Sequence, residues 1–328
     1  MKKQYALFPL LAMVLLILDS RTASFAALEG TELVLKTAVP ALFPFFVLSA
    51  ILVPYSAQYP IPGLASLLGV PSGWDAVFVL GCLGGYPVGA QCVALGYGSK
   101  QLRKQDAERM LGFCTNCGPS FLFGIVAASF QNPQFPFALF VIGILSALLT
   151  GAYWPGSSET PASKPNIPPV TLPQAVQTGL RSMASVSAWI ILGRILLRFM
   201  EKYLLFLLPE SIRLTAAGFL ELTNGCLLLN QFPDRFRFLA ASSFTTFGGL
   251  CVWMQVKSIC AKYGLTAASY LPQKLTQSTV AAALALIYTN TPGIHPVRLA
   301  VVIACAVIAL FSKKTVEIFK PMVYNGPN

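Results

Sequence analysis

Residues 75–97 read DAVFVLGCLGGYPVGAQCVALGY, an apolar stretch long enough to enter a membrane. It is interrupted by five residues that disfavour a regular helix, namely Gly81, Gly84, Gly85, Pro87 and Gly89. Glycine lowers helix stability, and proline inside a helix removes a backbone hydrogen bond. Irregular backbone at membrane depth is tolerated only where protein covers it or where it lines a cavity. The stretch therefore predicts a broken or re-entrant helix beside a cavity.

Composition extends this prediction to the rest of the chain. Of its 328 residues, 55% are hydrophobic and 11% are charged, and the mean hydropathy is +0.66. Soluble domains carry about 25% charged residues. Asp, Glu, Lys and Arg are absent from residues 37–74, 76–99, 110–158, 238–256 and 275–297. Because a membrane-spanning helix needs roughly 20 apolar residues, we predict an all-α polytopic membrane protein whose partner is the lipid bilayer.

The positions of the basic residues indicate which of these segments cross the membrane. The net charge is +11, but Lys and Arg are scattered between apolar stretches, which favours topology-setting loop charge over a nucleic-acid surface. If residues 75–97 crossed fully, the basic segment 99–109 and the basic N-terminus would lie on opposite sides, against the positive-inside tendency. Treating residues 75–97 and 214–229 as re-entrant leaves about eight transmembrane helices. Whether either stretch crosses fully stays open.

An internal repeat is visible in the order of the motifs. Gly118-Pro119 aligns with Gly248-Gly249, since both follow a charged turn and start a mostly apolar helix. Upstream, residues 84–89 take the place that residues 221–225 hold in the second half. Together with the topology, this order predicts two inverted repeats, each with a broken helix. Inverted repeats with broken helices near the middle of the membrane are typical of secondary transporters.

The predicted organisation has five parts. Residues 1–28 form a first membrane helix, which resembles a signal peptide but which we expect to be retained. Residues 29–153 and 175–290 form the two repeats, and the Pro- and Ser-rich residues 154–174 form a solvated linker between them. Residues 291–328 contain the last membrane helix and a basic tail. Full spans are expected near residues 110–129, 136–153, 182–208, 238–256, 275–288 and 297–311.

The chain lacks the residues of a metal centre or an enzyme. It has eight cysteines, mostly in apolar surroundings, and one histidine, His295. Cys114 and Cys117 form a single C-x-x-C, whereas a structural zinc site needs four ligands. Phosphate-binding loops, nucleophile elbows and H-E-x-x-H motifs are absent from the sequence. We expect no metal, no cofactor and no catalytic activity.

Two kinds of charged residue are candidates for function. Glu221 lies in an apolar stretch. Placing an ionised carboxylate inside a membrane costs a few kcal/mol, so such residues usually belong to a functional site. It could accept a proton or a coupling cation, or it could be a neutral, hydrogen-bonded or interfacial side chain. Arg194 and Arg198 share a helix face and could attract a carboxylate-bearing solute, or they could extend to the interface.

Small and polar residues at the predicted helix interruptions are the other candidates. Their amides and hydroxyls could bind a solute, whereas the alternatives are close helix packing and hydrogen bonds between helices. The first-half candidates are Gly84, Gly85, Tyr86, Pro87, Gly89, Thr115, Asn116, Gly118 and Ser120. The second-half candidates are Thr223, Asn224, Thr245, Thr246 and Gly248.

Three motifs resemble a known family. They are ALFPFF at residues 41–46, GGYPVGA at 84–90 and AERMLGFCTNCGP at 107–119. With them the chain resembles the YlbJ-type sporulation integral membrane proteins of the Gate, or nucleoside recognition, domain group. That group also includes spore maturation proteins and parts of nucleoside transporters. The resemblance runs from about residue 26 to residue 256, and ELTNG at 221–225 is similar to the acidic segment of the group.

The resemblance implies a role in endospore formation. The implied activity is transport of dipicolinic acid, a planar pyridine dicarboxylate, across the outer forespore membrane. Arg194, Tyr86 and the amides of the broken helices would then be partners for the substrate. Three alternatives stay open, which are a scaffold that recruits other sporulation proteins, a channel component and a nucleoside-type solute transporter.

Overall fold

The structure is a computed structural model that describes residues 4–56, 61–154 and 168–324, and every regular element in these ranges is helical. The helices of the first half are α1 (Gln4–Leu18), α2 (Ser20–Leu33), α3 (Val39–Ser56), α4 (Leu64–Leu68), α5 (Asp75–Gly84), α6 (Val88–Gly98), α7 (Lys104–Phe113), α8 (Pro119–Gly124) and α9 (Gln134–Tyr153). Those of the second half are α10 (Leu172–Tyr203), α11 (Glu210–Leu220), α12 (Leu222–Leu227), α13 (Asp234–Phe247), α14 (Gly249–Ala261), α15 (Tyr270–Asn290) and α16 (His295–Tyr324).

Several helices have the length and the surface of membrane spans. Within the described ranges, four stretches are long and apolar enough to cross a bilayer: Ser20–Leu52, Gln134–Tyr153, Leu172–Tyr203 and His295–Ser312. Large apolar side chains are exposed on the outside of the fold, such as Ile17 on α1 and Ile308 on α16. Exposed apolar surface of this extent needs lipid to cover it. The chain is an integral membrane protein, and the count of eight spans stays a prediction.

The stretch that decided the fold class is broken as predicted. Helix α5 ends at Gly84 and α6 begins at Val88, and the residues between them are not helical. Gly85 has a φ of +74°, which favours glycine, and the Tyr86–Pro87 peptide bond is cis. A second predicted break is also present, because Glu221 has extended backbone between α11 and α12. Both breaks lie where the sequence placed them.

Two other stretches that the sequence predicted as full spans are interrupted. Residues 110–129 divide between α7 and α8, with non-helical backbone at 114–118, because the residue before Pro119 is restricted to extended conformations. Residues 238–256 divide between α13 and α14 at Gly248, whose φ of +86° ends the first helix. Neither of these two stretches is therefore a single continuous helix.

The predicted boundary after residue 28 falls inside a helix. Helix α2 continues through one π-helical turn, Val34–Ala38, directly into α3. The chain is instead interrupted at Asp19, between α1 and α2. Apolar patterning alone could not locate this point, because residues on both sides of it favour helix.

The predicted linker ends earlier than residue 174. Helix α10 begins at Leu172, where Thr171 and Gln174 form a capping box and Pro173 occupies the first turn. Proline is favoured there because the first turn lacks hydrogen-bond partners for its backbone amides. Residues 155–167 of the linker lie outside the described residues.

Two long helices frame the interrupted ones. Helix α10 packs along α2 and α3, and α15 packs against α7, α9 and α13. The interrupted helices join these groups, because α14 contacts both α10 and α6, and α7 contacts both α15 and α6. The four interruptions therefore lie inside the helical assembly and are shielded from the exposed apolar surface.

Close backbone packing holds the hairpin of α5 and α6 against the interruption at residues 114–118. A Cβ atom added at Gly81 would lie 1.6 Å from the carbonyl oxygen of Cys114, and one added at Gly89 would lie 1.7 Å from the same atom. Real Cβ atoms cannot approach backbone this closely. Gly89, a predicted solute-binding residue, therefore serves helix packing.

We expect Gly89→Ala to destabilise the protein by about 3 kcal/mol or more, because the clash is with backbone that cannot rotate away. Gly143→Ala is the matched control, since a Cβ atom at Gly143 in α9 meets nothing within 4 Å. The control should be neutral or slightly stabilising. Thermal unfolding of the purified protein in detergent measures both. Equal unfolding temperatures for the two variants would contradict this packing.

Candidate functional site

Each half of the chain contributes two helix interruptions, and the two in each half touch. They are residues 85–87 and 114–118 in the first half, and Glu221 and Gly248 in the second. A Cβ atom at Gly85 would lie 3.0 Å from the amide nitrogen of Gly118, and one at Gly249 would lie 3.3 Å from that of Leu222. The order of the interruptions agrees with the predicted repeat, whereas the inverted relation of the halves stays a prediction.

Tyr86 connects the two halves at this point. Its hydroxyl donates hydrogen bonds to the carbonyl oxygens of Thr245 at 3.1 Å and Thr246 at 3.3 Å, which belong to the last turn of α13. Its ring packs on Gly248, since a Cβ atom there would lie 2.9 Å from the Tyr86 ring. Gly248 is thus a packing residue, and Tyr86 lines the first of two small cavities near these interruptions.

The first cavity has a volume of about 40 Å³ and is lined by α3, α10 and three of the interruptions. Most of its wall is apolar, including Phe46 and Ile190. Seven of the predicted site residues line it: Gly84, Gly85, Tyr86, Gly118, Ser120, Glu221 and Thr223. The sequence therefore identified most of the polar wall of this cavity.

Glu221 is the acidic residue among those that line the first cavity. Its carboxylate caps α12, accepting hydrogen bonds from the amides of Thr223 at 3.1 Å and Asn224 at 2.7 Å, and from Asn224 Nδ2 at 2.7 Å. Glu221 is 4% exposed, and no cation pairs with it among the described residues. Amides and a helix N-terminus favour its negative charge, whereas burial opposes it. Asn224 orients this carboxylate and does not line the cavity.

Gln255 is a residue of the first cavity that the sequence did not single out. It lies on α14, is buried, and its Oε1 atom has no hydrogen-bond partner. A buried amide oxygen without a partner costs about 1–3 kcal/mol, so a solute that satisfies it gains affinity. The signal in the sequence is one glutamine within the charge-free residues 238–256.

The second cavity lies between α8, α9, α13 and α15 and has a volume of about 10 Å³. Three predicted residues line it, namely Asn116, Thr245 and Thr246. The hydroxyls of Thr245 and Thr246 donate to carbonyl oxygens one turn earlier in α13, at 2.7 Å each. Of the three, only Asn116 has its polar atoms directed at another helix.

Lys274 is the main functional candidate that sequence reasoning missed. It lies on α15, is 0% exposed, and no carboxylate pairs with it among the described residues. Its Nζ donates to Gln277 Oε1 at 2.7 Å and to Asn116 Oδ1 at 3.4 Å, and it lies 5.4 Å from the centroid of the Tyr86 ring. In the sequence, Lys274 stands at the edge of the charge-free residues 275–297, where a basic residue is typical of a loop next to a span.

A sequence signal for Lys274 exists in the pattern of α15. Gln273, Lys274, Gln277 and Ser278 are all buried and recur at helical spacing, so they form one polar face. A helix that directs polar residues inward must present them to other polar groups or to a cavity. Gln277 also donates to Asn116 Oδ1 at 2.9 Å, which completes the contact with α7 and α8.

Three further predicted residues do not line either cavity. Thr115 is buried, and its Oγ1 atom has no hydrogen-bond partner. Pro87 is the N-cap residue of α6. Arg194 lies elsewhere, because its Nε donates to Glu29 Oε2 at 3.0 Å, and Arg198 donates to the other oxygen of Glu29 at 2.7 Å. The two arginines share a face as predicted, but that face contacts α2.

The ion pairs of Glu29 give a test of this correction. Arg194→Gln should lower the free energy of unfolding by about 1 kcal/mol, because Glu29 keeps Arg198 as a partner. Glu29→Gln should lower it by more, because both arginines lose their acceptor. Lys36→Gln is the control, since the exposed pair of Lys36 and Glu32 should contribute less than about 0.5 kcal/mol. Thermal unfolding that ranks these variants in another order would contradict the assignment.

Comparison with known proteins gives one partial similarity. The chain is 30% identical over 142 residues to the sporulation integral membrane protein YlbJ of Bacillus subtilis (strain 168). The similar stretch covers 41% of this chain and 32% of that protein, so it spans about a third of the relative's length. Neither a family model nor a solved structure matches the chain. The similarity supports a YlbJ-like family for this protein.

Proposed function

We propose that this protein is an integral membrane transporter of a small anionic metabolite, dipicolinate, across the outer forespore membrane during endospore formation. The observation that carries the proposal is the buried ammonium group of Lys274, which has no carboxylate partner among the described residues and lies beside the helix interruptions. Similarity to a sporulation integral membrane protein supports a membrane role in sporulation. The solute crosses chemically unchanged, so the protein is not an enzyme.

The surroundings of Lys274 favour a planar carboxylate as the solute. An ionised side chain inside a membrane protein is costly and usually marks a substrate or ion pathway. A carboxylate would compensate the ammonium charge, while Gln277 and Asn116 already hold the ammonium group in place. The ring of Tyr86 offers an aromatic face against which a pyridine ring can stack.

The first cavity offers a site for the second carboxyl group of dipicolinate. It also contains a residue that could couple transport to proton movement. Gln255 can present either its amide oxygen or its NH₂ group to a carboxyl group. Glu221 would repel a second carboxylate in the same cavity unless one of the two groups is protonated. We therefore propose that Glu221 binds a proton when dipicolinate binds and releases it when dipicolinate leaves.

Binding requires a second conformation of the protein. The two cavities have volumes of about 40 and 10 Å³. Both are too small for a solute with one aromatic ring, such as dipicolinate. The two halves each hold a pair of touching interruptions, which supports two Gate-like repeats. We propose that these repeats are inverted relative to each other and that the chain makes eight spans. Rocking of one repeat against the other would open the space around Tyr86.

Uptake into proteoliposomes tests the proposal. Vesicles that contain the purified protein should accumulate radiolabelled dipicolinate with saturation kinetics, and isophthalate, which keeps both carboxylates, should compete while uridine does not. Empty vesicles are the control. Uptake of uridine without dipicolinate would favour the nucleoside-type alternative. Uptake of neither solute by correctly inserted protein would overturn transport and favour a scaffold.

A further inference from the structure

A third cavity lies near the C-terminal end of α10, and none of its wall residues lines the first or the second cavity. It has a volume of about 560 Å³ and is lined by residues of α2, α10 and α11. Its wall is dominated by charge, because four of its seven residues are Arg21, Arg198, Lys202 and Arg213. The remaining wall residues are Thr22, Phe25 and Glu201. Its position separates it from the proposed dipicolinate site.

The acidic residues near this basic cavity are already engaged. Glu29 pairs with Arg194 and Arg198, and Glu201 lies 3.4 Å from Arg198. Asp19 accepts hydrogen bonds from Lys202 at 2.6 Å and from Tyr203 at 2.8 Å. These three carboxylates thus face five cations once Arg21 and Arg213 are included, so positive charge remains in excess.

Arg21 and Arg213 are the cations of this cavity that no carboxylate among the described residues neutralises. Neither forms an ion pair with another described residue. The Nε atom of Arg213 is buried and has no hydrogen-bond partner. A buried guanidinium N–H without an acceptor is unfavourable, and guanidinium groups bind phosphate with two parallel hydrogen bonds. The basic cavity therefore lacks an anionic acceptor.

Exposed apolar side chains lie close in the sequence to the wall residues of this cavity. Leu18 at the end of α1 is 78% exposed, and Leu204 and Leu207, between α10 and α11, are 69% and 80% exposed. Phe25 of the cavity wall is also exposed. A cluster of basic groups beside exposed leucines matches an amphiphile, whose charged headgroup and acyl chains need both surfaces. A soluble anion would use only the charge.

We propose that the basic cavity binds the phosphate group of an anionic phospholipid, with Arg21 and Arg213 as its principal donors and the acyl chains lying on Leu18, Leu204 and Leu207. Lipid bound there would join α2, α10 and α11, which also support the wall of the first cavity. Free phosphate shares this chemistry but lacks the acyl chains.

Thermal unfolding of the detergent-purified full chain tests the lipid site. Dioctanoyl phosphatidylglycerol should raise the unfolding temperature by about 5 °C at saturation. Dioctanoyl phosphatidylcholine, which carries no net charge, and sn-glycerol 3-phosphate, which has no acyl chains, should raise it by less than half as much. The double variant Arg21→Gln, Arg213→Gln should lose the response. Arg181→Gln, an exposed arginine at the other end of α10, is the control and should keep it.

The outcomes are distinguishable. Equal stabilisation by glycerol 3-phosphate and phosphatidylglycerol would support the phosphate site but assign it to a soluble source. Equal responses to phosphatidylglycerol and phosphatidylcholine, or an unchanged response in the double variant, would overturn the proposal. If the double variant does not fold, Arg21→Gln alone decides, because Arg21 is exposed and its replacement leaves the core intact.

Discussion

Replacing Lys274 with methionine is expected to lower the affinity of the transporter for dipicolinate by about 100-fold. Removing one partner of a buried charge pair costs 2–5 kcal/mol, and each 1.4 kcal/mol is about tenfold in affinity. Methionine keeps the apolar stem of the side chain and removes the ammonium group that would pair with the solute. Initial rates of uptake over a range of dipicolinate concentrations measure the change.

Lys257→Met is the matched control for this variant. Lys257 lies on α14, is exposed, and its ammonium lies 4.7 Å from the ring of Trp253. The same substitution there should leave uptake unchanged. Lys274→Met should also unfold within about 3 °C of the unmodified protein, because it removes a buried charge that has no counter-ion among the described residues. Unchanged dipicolinate affinity in a folded Lys274→Met protein would contradict the role of Lys274.

Glu221→Gln is expected to uncouple uptake from the pH gradient. Glutamine keeps one oxygen that can accept the amide hydrogen bonds of Thr223 or Asn224, so the N-cap of α12 is partly preserved. It cannot bind and release a proton. Net uptake driven by an imposed pH gradient should fall to the rate measured with the gradient collapsed, whereas exchange of labelled for unlabelled dipicolinate should persist.

Glu32→Gln is the matched control for the coupling experiment. Glu32 is exposed and pairs only with Lys36 one turn away among the described residues, so the same change should leave the gradient response intact. Net uptake and exchange are measured in the same vesicles with the pH gradient imposed or collapsed. A Glu221→Gln protein that still responds fully to the gradient would show that Glu221 does not carry the proton.

The sequence predicted those features of the fold and the site that depend on residues close together in the chain. The break at residues 85–87 was predictable because glycine and proline act on the backbone at their own positions. Glu221 was predictable because it is a single carboxylate in an apolar stretch. The interruption at Gly248 was predictable as well, because Gly248-Gly249 occupies the place in the second half that Gly118-Pro119 holds in the first.

The roles of Lys274 and Arg194 depend on partners far away in the chain. Lys274 meets Asn116, which lies 158 residues earlier, and the sequence contains no sign of that contact. Arg194 meets Glu29, which lies 165 residues earlier, so a charge that looked free is paired. Both cases were decided by which helices pack together, which apolar patterning in a membrane protein leaves largely undetermined.

The most direct test of the account is whether dipicolinate protects the residues at the helix interruptions from modification. Cys117 lines the second cavity beside Asn116, and Cys305 on α16 lines neither cavity, so one protein contains both the probe and its control. A small methanethiosulfonate reagent is added with and without dipicolinate, and the rates at both cysteines are measured by peptide mass spectrometry. The account predicts slower modification of Cys117 with saturating dipicolinate and an unchanged rate at Cys305. Unchanged rates at both cysteines, in protein that transports dipicolinate, would contradict a binding site between these interruptions.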